Sequence, residues 1–136
     1  MTNELLLLLV GIFAAAAVNM VVGFLWYLPF IFGNTWMRLT GLSLQKLKKR
    51  GMLAPLIGSF LAALAVAFVL SKLTTPFLGQ AMLLTGWLWI AFVAGMRLPH
   101  YLFEGRPFKL FLLSIAHDLV SLYAMLITLY IVLYGL

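Results

Sequence analysis

No cysteine occurs in this sequence of 136 residues, which excludes disulfide bonds, thiol nucleophiles and zinc–thiolate sites. Charge is also scarce. Charged residues make up 9% of the chain and hydrophobic residues 65%, whereas soluble domains contain about 25% charged residues. So few charges cannot cover an apolar core in water, and the composition therefore predicts an integral membrane protein.

Acidic residues are scarcer than basic ones, with three Asp and Glu against nine Lys and Arg and a net charge of +6. In a membrane protein, a basic excess indicates orientation and contact with anionic lipid rather than with nucleic acid. The sequence has no phosphate-binding glycine loop, nucleophile elbow, paired carboxylates or metal-protease helix. We therefore expect no enzyme, no bound nucleic acid, no metal and no cofactor.

Four apolar runs are long enough, or nearly so, for the roughly 20 residues that a membrane span requires. They predict an all-α polytopic membrane protein, with residues 1–136 forming one transmembrane domain of four helices. The predicted spans are about 5–30, 52–70, 79–96 and 108–134. The first run lacks the basic residues of a signal peptide, since the first Lys or Arg is Arg38, and we expect it to be a retained span.

The basic residues fall mainly at one end of this arrangement. Eight of the nine lie in the first connection or around the third, and only Lys72 lies in the second. By the positive-inside rule, the end with eight is cytoplasmic and both termini face outward. We expect a multi-pass protein in the plasma (inner) membrane of a prokaryote.

The first connection contains "SLQKLKKR", which predicts a short interfacial amphipathic helix capped by Ser43. Its basic side chains would contact anionic lipid headgroups; they are Lys46, Lys48, Lys49 and Arg50. The alternative is that this helix only anchors the topology.

A polar stripe runs along the fourth span. Ser114, His117, Asp118 and Ser121 follow the i, i+3, i+4, i+7 spacing of one helical face. A charged group against lipid is costly, so this face should point at other helices or a cavity. Asn19 lies at a matching depth in the first span, and we expect it to pair with Asp118. Adjacent helical positions point about 100° apart, so we expect no joint metal chelate by His117 and Asp118.

Two further faces suggest assembly. Gly11, Ala15, Asn19 and Gly23 recur every fourth residue, a spacing that lets helix backbones approach closely. Tyr123 lies on another face of the fourth span, and its hydroxyl needs a partner either on a neighbouring subunit or within the bundle. These surfaces exceed what one four-helix bundle should need, and they predict a homo-oligomer, most simply a dimer or trimer.

The segment "VGFLWYLPFIFGNTWMRLTGLS" resembles the signature of a family of small membrane proteins, the domain of unknown function 1761. The matching positions are Gly23, Leu25, Trp26, Tyr27, Pro29, Phe32, Gly33, Trp36, Met37, Gly41 and Leu42. The family usually has Ser before the proline, where this chain has Leu28. "GWLWIAFVAG" and "LFEGRPFKLFLLSIAHDLVSLYAM" also resemble its later spans. The resemblance implies four spans and brings no catalytic residues.

Two functional hypotheses remain from the sequence. The first is permeation or transport of an ion or small solute along the polar stripe, in an oligomer because four short spans rarely enclose a pathway alone. The alternative is a non-catalytic accessory or scaffold protein that binds lipid or a larger complex. An intramembrane enzyme ranks last because too few reactive groups converge.

Overall fold

The computed structural model describes residues 2–73 and 77–135, except for the side chains of Leu44 and Lys48. The predicted headgroup contact of Lys48 therefore lies outside the described side chains. The helices are α1 (Asn3–Trp26), α2 (Asn34–Thr40), α3 (Leu44–Arg50), α4 (Leu53–Ser71), α5 (Leu78–Leu88), α6 (Met96–Phe103) and α7 (Phe108–Tyr134). Two π-helical segments, Pro29–Gly33 and Trp89–Gly95, interrupt them.

Four helices are long and apolar enough to cross a membrane. They are α1, α4, α7 and the continuous helix Leu78–Phe103, here called the third span, which joins α5 and α6 through the second π-helical segment. The described residues contain no strand. The predicted all-α fold with four membrane-spanning helices is therefore confirmed. We call the end that carries α2 and α3 the basic end, and the end that carries both chain termini the opposite end.

Helix α7 is the centre of the bundle, and α1, α4 and the third span all pack against it. Its side chains Met125, Leu126 and Leu129 are fully buried against small residues such as Ala15 of α1. A Cβ added at Gly11 would lie 3.0 Å from Leu129 Cδ2, so the glycine lets the two helices approach closely. The small-residue face of α1 is thus used within the chain, and it no longer argues for a second subunit.

Hydrogen bonds and an ion pair, more than apolar burial, hold the third span to α7. Of the 18-residue apolar stretch in the third span, only 11% is buried inside the protein, whereas 39% of the corresponding stretch of α7 is buried. In lipid, apolar contact alone gives helices little reason to associate, and polar contacts gain weight. Three hydrogen bonds join the third span to α7: Tyr123 Oη donates to Met82 O (3.2 Å), Trp89 Nε1 to Ile115 O (2.8 Å), and Tyr101 Oη to Ser114 Oγ (3.2 Å). The ion pair of Arg97 with Asp118 is the fourth contact.

Tyr123 accordingly finds its partner inside the bundle. Its hydroxyl donates to the Met82 carbonyl oxygen, and it lies where a Cβ on Gly86 would come within 2.8 Å. Of the two alternatives for Tyr123, the structure shows the partner within the same chain.

The third span extends beyond the predicted end at Met96 to Phe103 and includes Arg97 and Pro99. Proline has no backbone N–H, and its ring clashes with the carbonyl four residues earlier in a regular α-helix. That carbonyl belongs to Gly95, where the wider π-helical turns end. The apolar run stops at Arg97, but the helix continues because Asp118 compensates the arginine's charge.

At the basic end, α1 stops at Trp26, four residues before the predicted limit. Leu28 is extended (φ −60°, ψ 142°), as expected for the residue before a proline. The chain then forms a π-helical turn, closed by a hydrogen bond of 2.9 Å from Gly33 N to Leu28 O. A Cβ at Gly33 would overlap the Tyr27 carbonyl oxygen and lie 2.9 Å from Leu28 C. This tight turn keeps Trp26 and Tyr27 against α7.

Helix α3 begins as the sequence predicts, since Ser43 Oγ accepts a hydrogen bond of 3.2 Å from Lys46 N. Such a cap satisfies one of the free N–H groups at a helix start. Lys46, Lys49 and Arg50 are exposed. The structure thus confirms the helix and its cap, and its contact with lipid headgroups stays a prediction.

Candidate functional site

An ion pair joins the third span to α7 within the predicted membrane layer. Arg97 Nη1 lies 2.5 Å from Asp118 Oδ2, and the two side chains are 47% and 26% exposed. Arg97 stands six residues before the end of its helix, which corresponds to about 9 Å at 1.5 Å per residue. Sequence reasoning assigned Arg97 to a connection and so missed it. The signal was its i, i+4 spacing with Tyr101, which places both on one helical face.

His117 lies on the other side of the carboxylate. Its Nδ1 is 3.1 Å from Asp118 Oδ1, and its Nε2 is 3.5 Å from Ser121 Oγ. The side chains of these two neighbours therefore meet, although their helical positions point apart. The imidazole packs between α7 and the end of α1, with ring centroids 5.8 Å from Trp26 and 5.4 Å from Tyr27.

The charges in this cluster compensate each other. One oxygen of Asp118 faces the Arg97 guanidinium and the other faces the His117 imidazole. An ionised carboxylate at membrane depth needs such partners. Outside the span, burial raises the pKa of the Tyr27 phenol above its ordinary value, the negative charge of Asp118 adds to the effect, and Arg97 opposes it. The Tyr27 hydroxyl therefore stays protonated at neutral pH.

Asn19 does not pair with Asp118 as the sequence suggested. Its Nδ2 donates to Ser59 Oγ of α4 over 2.8 Å, so this pair ties α1 to α4 instead. Asn19 and Asp118 do lie at similar depths in their helices, but depth alone does not specify which helix packs against a given face. Ser59 is a buried hydroxyl on the small-residue face of α4, and its polarity on that face was the signal for the pairing.

The stripe itself is a continuous face, as predicted, but it does not cross the bundle. Ser114 accepts from Tyr101, and Ser121 is buried. Beyond Ser121, toward the opposite end, the interior is mainly apolar, although it includes the buried Thr85 and the Tyr123 hydroxyl that donates to Met82 O. We call this layer the apolar septum; it consists of Ile12, Ala15, Ala16, Ala63, Val66, Ala67, Leu70, Ala81, Met125, Leu126 and Leu129.

A cavity of about 350 Å³ opens beyond the apolar septum, at the opposite end of the bundle. Glu4, Ser71 and Tyr134 contribute polar groups to walls that are otherwise apolar. The bundle thus has polar groups at both ends, separated by the apolar septum.

A family model described as "Protein of unknown function (DUF1761)" matches residues 10–130. The chain belongs to the DUF1761 family. This confirms the resemblance found in the sequence. No curated protein and no solved structure matches the chain.

The DUF1761 match extends over all four spans and over the whole polar cluster. Asn19, the turn Pro29–Gly33, Arg97 and Asp118 all lie inside it. The cluster therefore lies within the part of the chain that matches the family model.

The DUF1761 cluster combines a carboxylate, a guanidinium and an imidazole in contact. Among residues 2–73 and 77–135, no three His, Asp or Glu side chains come together as a metal-binding group.

Proposed function

We propose that this protein moves a small ion or solute along the polar stripe of α7, as a homo-oligomer and without enzymatic activity. The observation that carries the proposal is the Asp118 carboxylate, held between Arg97 and His117 within the membrane-spanning helices. Ionisable residues at such a depth are expensive to bury, and they commonly mark ion and proton pathways.

The arrangement along the bundle axis supports entry from both ends. Polar groups reach from the basic end to Ser121, and Glu4 and Ser71 line the cavity at the opposite end. For an ion or solute to pass, the apolar septum between these polar groups must open, or a neighbouring copy of the chain must complete the path. The third span is the element best suited to move, because it is the least buried of the four. Its movement would have to break the four polar contacts that hold it to α7.

The flux prediction is tested with protons, because a carboxylate and an imidazole exchange them. Vesicles that contain the protein and a luminal pH dye should acidify faster than protein-free vesicles under an imposed potential. Asp118→Asn keeps hydrogen-bonding capacity but carries no exchangeable carboxyl proton, and we expect it to lower the rate at least about a hundredfold, the lower end of the range for loss of a proton-transfer group.

The matched control is Glu104→Gln. It also neutralises one carboxylate that pairs with an arginine, but at an exposed site outside the spans, where Arg106 Nε lies 2.6 Å from Glu104 Oε2. It should leave the rate unchanged. Wild-type protein that is no faster than empty vesicles would contradict the transport proposal for protons.

The alternative is an accessory or scaffold protein that binds anionic lipid or a larger complex. The exposed Lys46, Lys49 and Arg50 of the capped helix α3 favour it, since basic residues beside a span attract anionic headgroups. In that case the Arg97–Asp118 pair serves only to hold the third span, and the flux assay shows no activity.

We further propose a plasma-membrane location in a prokaryote, with both termini outside and the basic end in the cytoplasm. Eight of the nine basic residues lie at that end. With no native cysteine to react, single cysteines give a clean test. An impermeant maleimide should modify Gly135→Cys on intact cells, and Gln45→Cys only after permeabilisation. Modification of Gln45→Cys on intact cells would reverse the orientation.

A further inference from the structure

An apolar groove separates α4 from the third span on the lipid-facing side of α7. Its volume is about 210 Å³, equal to the liquid volume of about seven waters. Ala65, Val66 and Val69 form one wall, and Leu122 of α7 forms the floor. The other wall consists of Thr85, Leu88, Trp89, Phe92 and Val93 of the third span. The two walls have little direct contact, because each helix packs mainly on other elements.

The groove suits hydrocarbon rather than water. Its walls are almost entirely apolar, and a water needs two to four polar partners to occupy a cavity. The indole N–H of Trp89 already donates to the Ile115 carbonyl oxygen. A gap between two membrane spans that is too apolar for water is filled by an acyl chain, whose burial is favourable by contact with both walls.

Lys72 lies just beyond the end of the groove on α4, with its ammonium over the Phe68 ring, and it is not among the residues that line the groove. Lys72 follows Ala65 by seven residues and Val69 by three, so it shares their face of the helix. It lies about 4.5 Å beyond Val69 along the axis, and its Nζ is 5.0 Å from the Phe68 ring centroid. Lys72 is the one basic residue of the sequence that is not at the basic end.

We propose that the groove binds one acyl chain of an anionic phospholipid from the leaflet at the opposite end, with its phosphate against Lys72. The apolar walls fit the chain, and the lysine fits the phosphate. This site is separate from the polar cluster and from the basic helix α3, so it does not depend on the proposed transport.

The test is native mass spectrometry of the full chain in mild detergent, titrated with phosphatidylglycerol or with phosphatidylcholine of the same acyl chains. Wild-type protein should bind phosphatidylglycerol more tightly. Lys72→Gln should weaken that lipid about fivefold, as expected for one lysine near a phosphate, and leave phosphatidylcholine unchanged. Ala65→Phe fills the groove and should weaken both about tenfold, equivalent to roughly two buried methylenes.

Two controls locate the effect. Leu64→Phe adds a ring to the neighbouring exposed position about 100° away and should keep wild-type affinity. Lys49→Gln removes a lysine from the basic end. In this background, Ala65→Phe should weaken lipid binding by the same factor as it does in the wild type. If the Ala65→Phe chain does not fold, the smaller Ala65→Leu replaces it.

Three results would overturn the proposal. The first is equal affinity of the wild type for the two lipids, with no effect of Lys72→Gln. The second is a folded Ala65 variant that binds lipid like the wild type. The third is a dimer that Ala65→Phe abolishes in the absence of lipid, which would assign the groove to a second copy of the chain.

Discussion

Asp118→Leu should lower the free energy of unfolding by about 1–3 kcal/mol, because it leaves the Arg97 charge within the membrane without its partner. Loss of one member of a fully buried ion pair costs about 3–5 kcal/mol. The effect is smaller here because Arg97 is 47% exposed and can extend its guanidinium toward the headgroups. The measurement is SDS-induced unfolding in mixed micelles, followed by circular dichroism.

The double variant Arg97→Met with Asp118→Leu makes this prediction specific. An apolar pair of similar volume often replaces a buried ion pair at no loss, so we expect the double variant to lie within about 1 kcal/mol of the wild type. Glu104→Gln breaks the exposed pair with Arg106 and should cost about 0–1 kcal/mol. Additive effects of the two single changes would show that Arg97 and Asp118 are not coupled.

The second large effect is expected at the turn after α1. Gly33→Ala should destabilise the protein by about 2–3 kcal/mol, in the range for forced overpacking. The new Cβ would overlap the Tyr27 carbonyl oxygen and come within 2.9 Å of Leu28 C. These are backbone atoms that cannot rotate away. The same unfolding measurement applies, and the Trp26 and Tyr27 fluorescence environment should change with it.

Gly58→Ala is the matched control. Gly58 lies in α4, and nothing stands within 4 Å of a Cβ added there. Because alanine favours a helix over glycine by up to about 1 kcal/mol, this variant should be as stable as the wild type or more so. A Gly33→Ala chain with unchanged stability would mean that the π-helical turn relaxes without cost.

The side of α7 that faces the protein could be predicted from the sequence, because the helical repeat determines which residues share a face. Ser114, His117, Asp118 and Ser121 do face the protein, as their spacing indicated. The number of spans followed as well, since apolar length and composition are local properties. The resemblance carried by Trp26, Tyr27 and Pro29 also led to the correct family.

The partners of these residues could not be predicted in the same way. Asn19 and Asp118 lie at similar depth, yet they bind Ser59 and Arg97 because of which helices are neighbours. The predicted third span ended at Met96, and Arg97 was counted with the connection, because the apolar run ends at this first charged residue. Only a tertiary contact, the carboxylate of Asp118, explains why the helix continues to Phe103.

The apolar septum also has an electrical consequence. A transmembrane voltage falls mainly across the least polar layer, which here lies between Ser121 and the opposite end. Arg97 and Asp118 together are neutral, so the voltage exerts no net force on the pair. Neutralising either partner leaves one elementary charge at the edge of that layer. Moving such a charge through the full potential is worth about 2.3 kcal/mol per 100 mV, which is comparable to the expected cost of breaking the ion pair by Asp118→Leu.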